Sequence, residues 1–379
     1  MPLTQVSDNM IDTGIASSKV TGALAAVDGS ALTGLSAITK GASDPATDTN
    51  PSGGVGTVWA NTTDGEMFVC TDATTDENVW KNIGAGSGNV PQYSFQGSIS
   101  GYTSGGLIHY PTNQGENVID KFTFAADADA TDVGDLTVGR RNVSAQSSIS
   151  HGYTSGGARS SNFDTIDKFS FSVDGNATDV GNLIVATHNG AGQSSEAHGY
   201  VSGGEPSTNT IVKFSFSVDA DATDVGDLTL ARYGNGQSSE THGYTSGGYA
   251  GGNSNIIDRF PFASDANATD VGDLTQARYD GSTQSSTTHG YLCGGHNGGY
   301  VNTIDKFTFA ASANATDVGD MVSQRNGTAG QSSTTHGYIS AGDTPTSNVI
   351  EKFSFSADGN TTDVGDLTVA RYTSAGQQY

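Results

Sequence analysis

Basic residues are scarce in this chain. Lys and Arg together number 16 among 379 residues, against 40 Asp and Glu, for a net charge of −24. A surface so acidic has no electrostatic grip on nucleic acid or on anionic membranes, and its self-repulsion favours solubility. Cysteine is nearly missing. Cys70 and Cys293 lie in different regions, so no structural disulfide is expected, and neither has metal-ligand spacing. No stretch approaches about 18 apolar residues, and Met1-Pro2-Leu3-Thr4-Gln5 carries no basic cluster. Neither a membrane span nor a signal peptide is therefore expected. Charged residues are only 15%, whereas a disordered chain of low hydrophobicity normally carries more charge.

What is abundant is glycine, 52 residues, together with Ser, Thr and paired aromatics. That mixture suits β structure with tight turns. It is organised as a repeat. One copy runs from Gln284 to Arg325, with His289-Gly290-Tyr291, Gly294-Gly295, Thr303-Ile304-Asp305-Lys306-Phe307-Thr308-Phe309 and Ala315-Thr316-Asp317-Val318-Gly319-Asp320. The Gly-Tyr pair recurs at Gly101, Gly152, Gly199, Gly243, Gly290 and Gly337, at spacings of 51, 47, 44, 47 and 47. The Val-Gly pair recurs from Val133 to Val364 at 47, 45, 46, 47 and 46. Two markers that drift together mark whole units with loops of variable length.

Each unit predicts four short strands. In one unit these are His242–Ser246, Ile257–Phe262, Gly272–Arg278 and roughly 279–286. Phe260 and Phe262, two apart, point to one face and can stack on a neighbouring sheet. Radial repetition of four-stranded units predicts an all-β, six-bladed β-propeller over 91–379. A stacked solenoid is the competitor, but it needs capping repeats, and none is visible. Ala370-Arg371-Tyr372-Thr373-Ser374-Ala375-Gly376-Gln377 matches the start of a further unit, so it can supply the strand that completes the first blade and removes an open edge.

The earlier part divides in two. Residues 1–40 carry thinly spread apolar positions from Ile11 to Ile38. They cannot bury enough surface alone to offset their ordering entropy. An extended arm that attaches or oligomerises is expected there. Residues 41–90 are expected to hold a linker, 41–55, and a small three-stranded β module. Its strands are Gly56–Ala60, Glu66–Cys70 and Asn78–Ile83, with Asp64-Gly65 in the first turn. Both tryptophans, Trp59 and Trp80, fall here and are expected to form its core. Gly84–Asn89 is expected to be a flexible joint.

The arm with Val27-Asp28-Gly29-Ser30-Ala31-Leu32-Thr33-Gly34-Leu35 resembles those of bacteriophage tail-fibre and related virion proteins. The stretch Gly56-Thr57-Val58-Trp59-Ala60-Asn61-Thr62-Thr63-Asp64-Gly65-Glu66-Met67-Phe68-Val69-Cys70 is similar to a β module of marine phage structural proteins. The resemblance covers about the first 85 residues and implies a component of an extracellular particle. Separately, Gly105-Gly106, Gly156-Gly157, Gly203-Gly204, Gly247-Gly248 and Gly294-Gly295, with the Asp-Lys step and the later Arg, look like the Kelch repeat. The Kelch tryptophan near the fourth strand is missing, and Asp-Val-Gly-Asp stands there instead.

Three features are candidates for chemistry. The Asp-rich segment, Asp127, Asp129 and Asp132, recurring as Asp219, Asp221 and Asp224, has the oxygen ligands a calcium ion takes. The alternative is local turn bonding, which the lack of EF-hand spacing favours. His151, His198, His242, His289 and His336 recur once per unit, too far apart to chelate one metal, and suit a repeated structural hydrogen bond. The tyrosines beside them, Tyr102 to Tyr338, suit packing between blades. No nucleophile–base pair and no phosphate loop stands out, so no catalytic residue and no cofactor is assigned. The variable loops are Leu107–Asn117, Ala158–Asp164, Glu205–Asn209, Tyr249–Asn255, His296–Asn302 and Asp343–Asn348. All follow the Gly-Gly position and should gather on one binding rim. The resulting expectation is a non-enzymatic virion structural protein of the tail-fibre type. Its arm would join other virion proteins, with a homotrimer favoured, and its propeller would meet a host-surface glycan or protein. The alternatives are a capsid decoration or adaptor protein and, remotely, a polysaccharide-active enzyme.

Overall fold

The computed structural model describes residues 38–63, 65–83, 94–108 and 115–379. The expectations for the arm before residue 38, for Asp64 and for the joint at Gly84–Asn89 lie outside the described residues. The chain divides into two compact units, Met1–Gln92 and Tyr93–Tyr379.

The first unit holds one sheet, β1 (Thr39–Gly41), β2 (Val58–Asn61), β3 (Met67–Asp72) and β4 (Val79–Asn82), in that order. It has four strands rather than the expected three. The extra strand, β1, runs parallel to β2 with Thr39 opposite Trp59 and crosses the expected boundary between arm and linker. It fits there because Gly41 has no side chain: a Cβ would lie 2.1 Å from the Trp59 ring. The 41–55 segment is likewise bonded to the sheet instead of acting as a plain linker. Asn61 Nδ2 donates to Asp44 at 2.8 Å, Asn78 Nδ2 to the Thr47 carbonyl at 2.7 Å, and Trp59 Nε1 to the Ser43 carbonyl at 3.0 Å. Phe68, Cys70 and Trp80 form the core, with Trp59 edge-on to Trp80 at 6.2 Å.

Among the described residues, the second unit holds six four-stranded antiparallel sheets. The first begins with β5 (Ser100–Ser104), β6 (Val118–Thr123) and β7 (Thr131–Asp135); the second is β8 (Ser144–Ser147), β9 (His151–Ser155), β10 (Thr165–Ser170) and β11 (Thr178–Asn182). The remaining units repeat this plan. The final strand, Ala375–Gln378, pairs with β5, Gln377 opposite Tyr102, and completes the first sheet. Strand division within a unit differs from expectation. The outer strand is the Asp-rich Thr269–Asp273, not Gly272–Arg278, and Ser282–Ser285 is the inner strand of the following sheet. The Asp residues hid this strand because Asp normally signals turns. Here the segment pairs along its backbone with Ile256–Arg259, and Asp273 N donates to Asn314 of the neighbouring sheet at 3.1 Å.

Local sequence explains the strand next to the inner one. All of β9 but His151 is buried, so the strand shows no alternation. Gly152 is obligatory, because a Cβ there would meet the Phe169 ring of β10 at 2.3 Å. The strand ends at Gly156 and Gly157, both left-handed with φ of 63° and 103°, which a side chain rarely tolerates.

Four sets of contacts recur between successive sheets, and between the sixth and the first, though not every set is present at every junction. On the inner strands a glutamine amide donates to a tyrosine carbonyl of the following sheet: Gln146 to Tyr200 at 3.0 Å, Gln193 to Tyr244 at 2.9 Å, Gln331 to Tyr102 at 2.9 Å and Gln377 to Tyr153 at 2.9 Å. Each tyrosine ring then packs on the following sheet's Phe pair. Tyr200 lies 5.5 and 4.9 Å from Phe260 and Phe262, and Tyr338 lies 5.5 and 4.8 Å from Phe122 and Phe124 of the first sheet. The expected role of the tyrosines is thus what they do. Third, a buried arginine pairs with an acid on the next sheet. The pairs are Arg140–Asp167 (2.9 Å), Arg232–Asp258 (2.8 Å), Arg278–Asp305 (2.9 Å), Arg325–Glu351 (2.8 Å) and Arg371–Asp120 (3.2 Å). A threonine hydroxyl supports all five of these acids, four from the equivalent position, for example Thr229 to Asp258 at 2.7 Å, and Glu351 from Thr361. Such pairs contribute less through net attraction than through the large penalty for losing one partner. The fourth set is made by the Asp-rich segments.

Candidate binding face and the residues that form it

The Asp-rich segments place their carboxylates on protein partners. In five of the six segments the first acid takes a lysine of the preceding sheet, for example Lys168 to Asp219 at 2.7 Å, and Lys352 to Asp127; the fifth has Ser312 there. The second accepts a backbone N–H across the junction, Asp366 N to Asp129 and Asn182 N to Asp221, at 3.1 and 2.9 Å. The third closes a local turn, Gly134 N to Asp132 and Gly226 N to Asp224, each at 3.1 Å. Asp127, Asp129, Asp219 and Asp221 are therefore joints between sheets, whereas Asp132 and Asp224 close turns within their own segments. Among the described residues no cluster of three or more His, Cys, Asp or Glu has the geometry to hold a metal ion. The lysine pairs are partly exposed, so each is worth only about 0–1 kcal/mol.

The recurring histidines do not converge. Nδ1 of His151, His242, His289 and His336 each shares a 2.8 Å hydrogen bond with the hydroxyl of the preceding residue. His198 follows Ala197 and instead packs edge-on to Tyr200 at 6.3 Å. Burial, reinforced by a neighbouring lysine or arginine, holds all five below the ordinary imidazole range. Both cysteines are free and buried, and burial raises the Cys293 thiol well above its usual value.

Among the described residues, the segments after Gly-Gly occupy equivalent places in the six sheets; positions 109–114 of the first lie outside the described residues. Each pairs with the residue that follows the arginine position of the preceding unit. Leu107 bridges Tyr372, Ala158 bridges Arg141, Glu205 bridges His188, His296 bridges Tyr279 and Asp343 bridges Asn326. Tyr249 pairs with Tyr233 in the same way. In the fourth and fifth sheets the expected loop is mostly strand, His242–Tyr249 with Asn253–Pro261 and His289–His296 with Tyr300–Thr308.

Those two hairpins bring together residues that the sequence reading did not single out. Tyr233 stacks on Tyr249 at 5.7 Å and meets Tyr279 edge-on at 5.8 Å. Tyr279 lies 5.2 Å from His296, which is 5.4 Å from Tyr300. All five are half-buried, so they form an aromatic shelf with accessible ring surface. The signal was present: Tyr233, Tyr279 and Tyr372 share one repeat position, where the other units have Arg141, His188 and Asn326. Only the fold shows that Tyr249, His296 and Tyr300 reach the same place.

Beside the shelf lies a polar cavity of about 160 Å³ enclosed by the six inner strands. Its rim on the loop side holds Asn142, Asn189, Asp280, Gly327 and Thr373, all left-handed with φ of 53–62°. Backbone bonds link them in sequence: Asn142 N to Thr373 O, Asn189 N to Asn142 O, Gly327 N to Asp280 O and Thr373 N to Gly327 O. The fourth unit breaks the series, because Arg232 to Gln237 is one residue shorter than its counterparts. At the opposite end Gln378 Nε2 donates to the Phe95 carbonyl at 2.7 Å, and Phe95 lines the cavity floor. Asp280 is the charged group of the cavity. Burial alone pushes its carboxyl up to about 6, and no second carboxylate contributes. A lone carboxyl beside stacked aromatics can accept hydrogen bonds from hydroxyls while the rings cover the C–H face of a sugar.

No protein-family model matches the chain, and no curated protein does either.

Proposed function

We propose that Tyr93–Tyr379 is a six-bladed, Kelch-like β-propeller closed by its C-terminal strand, and that the chain is a phage virion structural protein of the tail-fibre type. Six sheets bonded in succession, with Gln331 and Tyr338 of the sixth reaching Tyr102, Phe122 and Phe124 of the first, support the closed arrangement. In this reading residues 1–40 attach the protein, as a trimer, to other virion components. The loop face is held outward toward a host-surface glycan.

One observation carries the binding role: five half-buried aromatic rings and a lone carboxyl converge where the repeats cease to be alike. A rigid scaffold with its variable segments on one face is the usual arrangement for recognition. The test is adhesion of purified full-length protein to host cells and to their extracted surface polysaccharide. Tyr249→Ala and Tyr300→Ala, on the hairpins and outside the inter-sheet tyrosine packing, should each weaken adhesion by about tenfold or more. Wild-type protein that fails to adhere, but binds purified virion subunits, would instead make it a decoration or adaptor protein.

A further inference from the structure

One of the six junctions lacks the buried ion pair, and it does so at every contributing position at once. Between the second and third sheets the arginine place is Thr187 and the acid place is Val212. The threonine that supports the acid at four junctions is Ile184 here and Val322 at the Arg325–Glu351 junction. Val201 stands where Thr103, Thr154 and Thr245 stand in their own strands, and where Leu292 and Ile339 stand in two others that keep the ion pair. Replacing an arginine by threonine removes volume, and no larger apolar side chain fills it. The result is a pocket of about 150 Å³ lined by Leu183, Val201, Pro206 and Val212, with Ile184 and Val185 50% and 61% exposed beside it.

No charged side chain lines this pocket. Three of its hydroxyls are engaged within the protein: Thr187 Oγ1 donates to the Glu205 carbonyl at 3.2 Å, and Thr208 and Thr210 bond each other at 2.9 Å, while Ser207 is exposed to solvent. A charged guest would lose its hydration without gaining a counter-charge. The pocket opens to solvent past the exposed Ile184, Val185, Pro206 and Ser207, so an apolar guest seated in it would cover apolar surface that water now meets.

We propose that this junction is a binding site for a small neutral apolar ligand, a compact aliphatic or single-ring aromatic group of roughly six to eight heavy atoms. It is a different site from the aromatic shelf and does not depend on the proposed role of that face.

The experiment is titration of the full chain with benzene, followed by methyl NMR, with xenon as a second probe. One saturable site is expected, with a dissociation constant of roughly 0.1–1 mM and shifts centred on Leu183, Val201 and Val212. Rebuilding the network with Ile184→Thr, Thr187→Arg and Val212→Asp should weaken binding at least about tenfold. If that variant does not fold, Thr187→Leu fills the same space and should do likewise. Carrying the pattern to another junction, with Thr229→Ile, Arg232→Thr and Asp258→Val, should create a second site. Absence of saturable binding of either probe, or binding unaffected by a folded filling variant, overturns the proposal.

Discussion

Replacing Asp258 by valine alone should destabilise the protein far more than replacing the whole network around it. Asp258 is fully buried and accepts three hydrogen bonds, from Arg232 Nη1 at 2.8 Å, Thr229 Oγ1 at 2.7 Å and Thr229 N at 3.1 Å. Valine nearly matches its shape, so little cavity forms. What remains is a fully buried guanidinium, still donating to the Gly247 and Thr245 carbonyls at 2.9 and 3.0 Å but without a counter-charge. Breaking a buried pair in this way costs about 3–5 kcal/mol. The triple variant Thr229→Ile, Arg232→Thr, Asp258→Val copies the junction that already exists at Ile184, Thr187 and Val212. Removing both charges together is neutral to favourable by about 1–4 kcal/mol, and the void left by arginine costs about 2 kcal/mol. The triple variant should therefore fall within about 2 kcal/mol of wild type. Urea unfolding, checked for reversibility and for unchanged m-values, measures both. A triple variant as unstable as Asp258→Val would refute the argument, because the loss would then not come from an orphaned charge.

Asp280→Asn should raise stability, read from the thermal midpoint, at pH 7–8, by at most about 3 kcal/mol and by less than that because the residue is partly exposed, and leave it unchanged near pH 3.5. The folded carboxyl is raised to about 6 from 3.8, so its contribution is present at low pH and lost as pH rises through 6. Asn142 and Asn189 already hold the equivalent left-handed position, so the substitution adds no backbone strain. Tyr200→Ala should cost about 3–5 kcal/mol by removing a 2% exposed ring packed on Phe260 and Phe262, whereas Tyr200→Phe should cost about 1 kcal/mol or less. Finally, stability in the Asp280→Asn background should fall as pH drops below about 6.5. The recurring histidines have folded values below their unfolded ones, so the unfolded chain takes up protons first. A flat profile between pH 5 and 7 would contradict that assignment.

The fold was legible in the sequence wherever a residue's role is set inside one repeat. Gly152 and Phe169 are fixed by strand geometry, Gly156 and Gly157 by backbone conformation, and Ala375–Gln378 by its likeness to earlier inner strands. Reading the Asp-rich segments as turns was right only for the third acid, such as Asp132 and Asp224, which accepts from the N–H two residues on; the first two, such as Asp219 and Asp221, are satisfied across a junction that no single unit contains. The parallel strand β1 was missed for a similar reason: Thr39-Lys40-Gly41 has no strand pattern of its own and is held by Trp59.

The candidate sites show the same division. Repetition in the chain determined which positions are equivalent, and hence that Val212 and Thr187 depart from Asp and Arg. It did not determine that these two residues, together with Ile184, face one another across a junction and leave a pocket. Tyr233, Tyr249, Tyr279, His296 and Tyr300 span two units and meet only because two hairpins project from the same face. Local backbone and packing preferences act over a few residues and are written in order along the chain. Proximity between units depends on how whole sheets stack, and that was decided only when they packed.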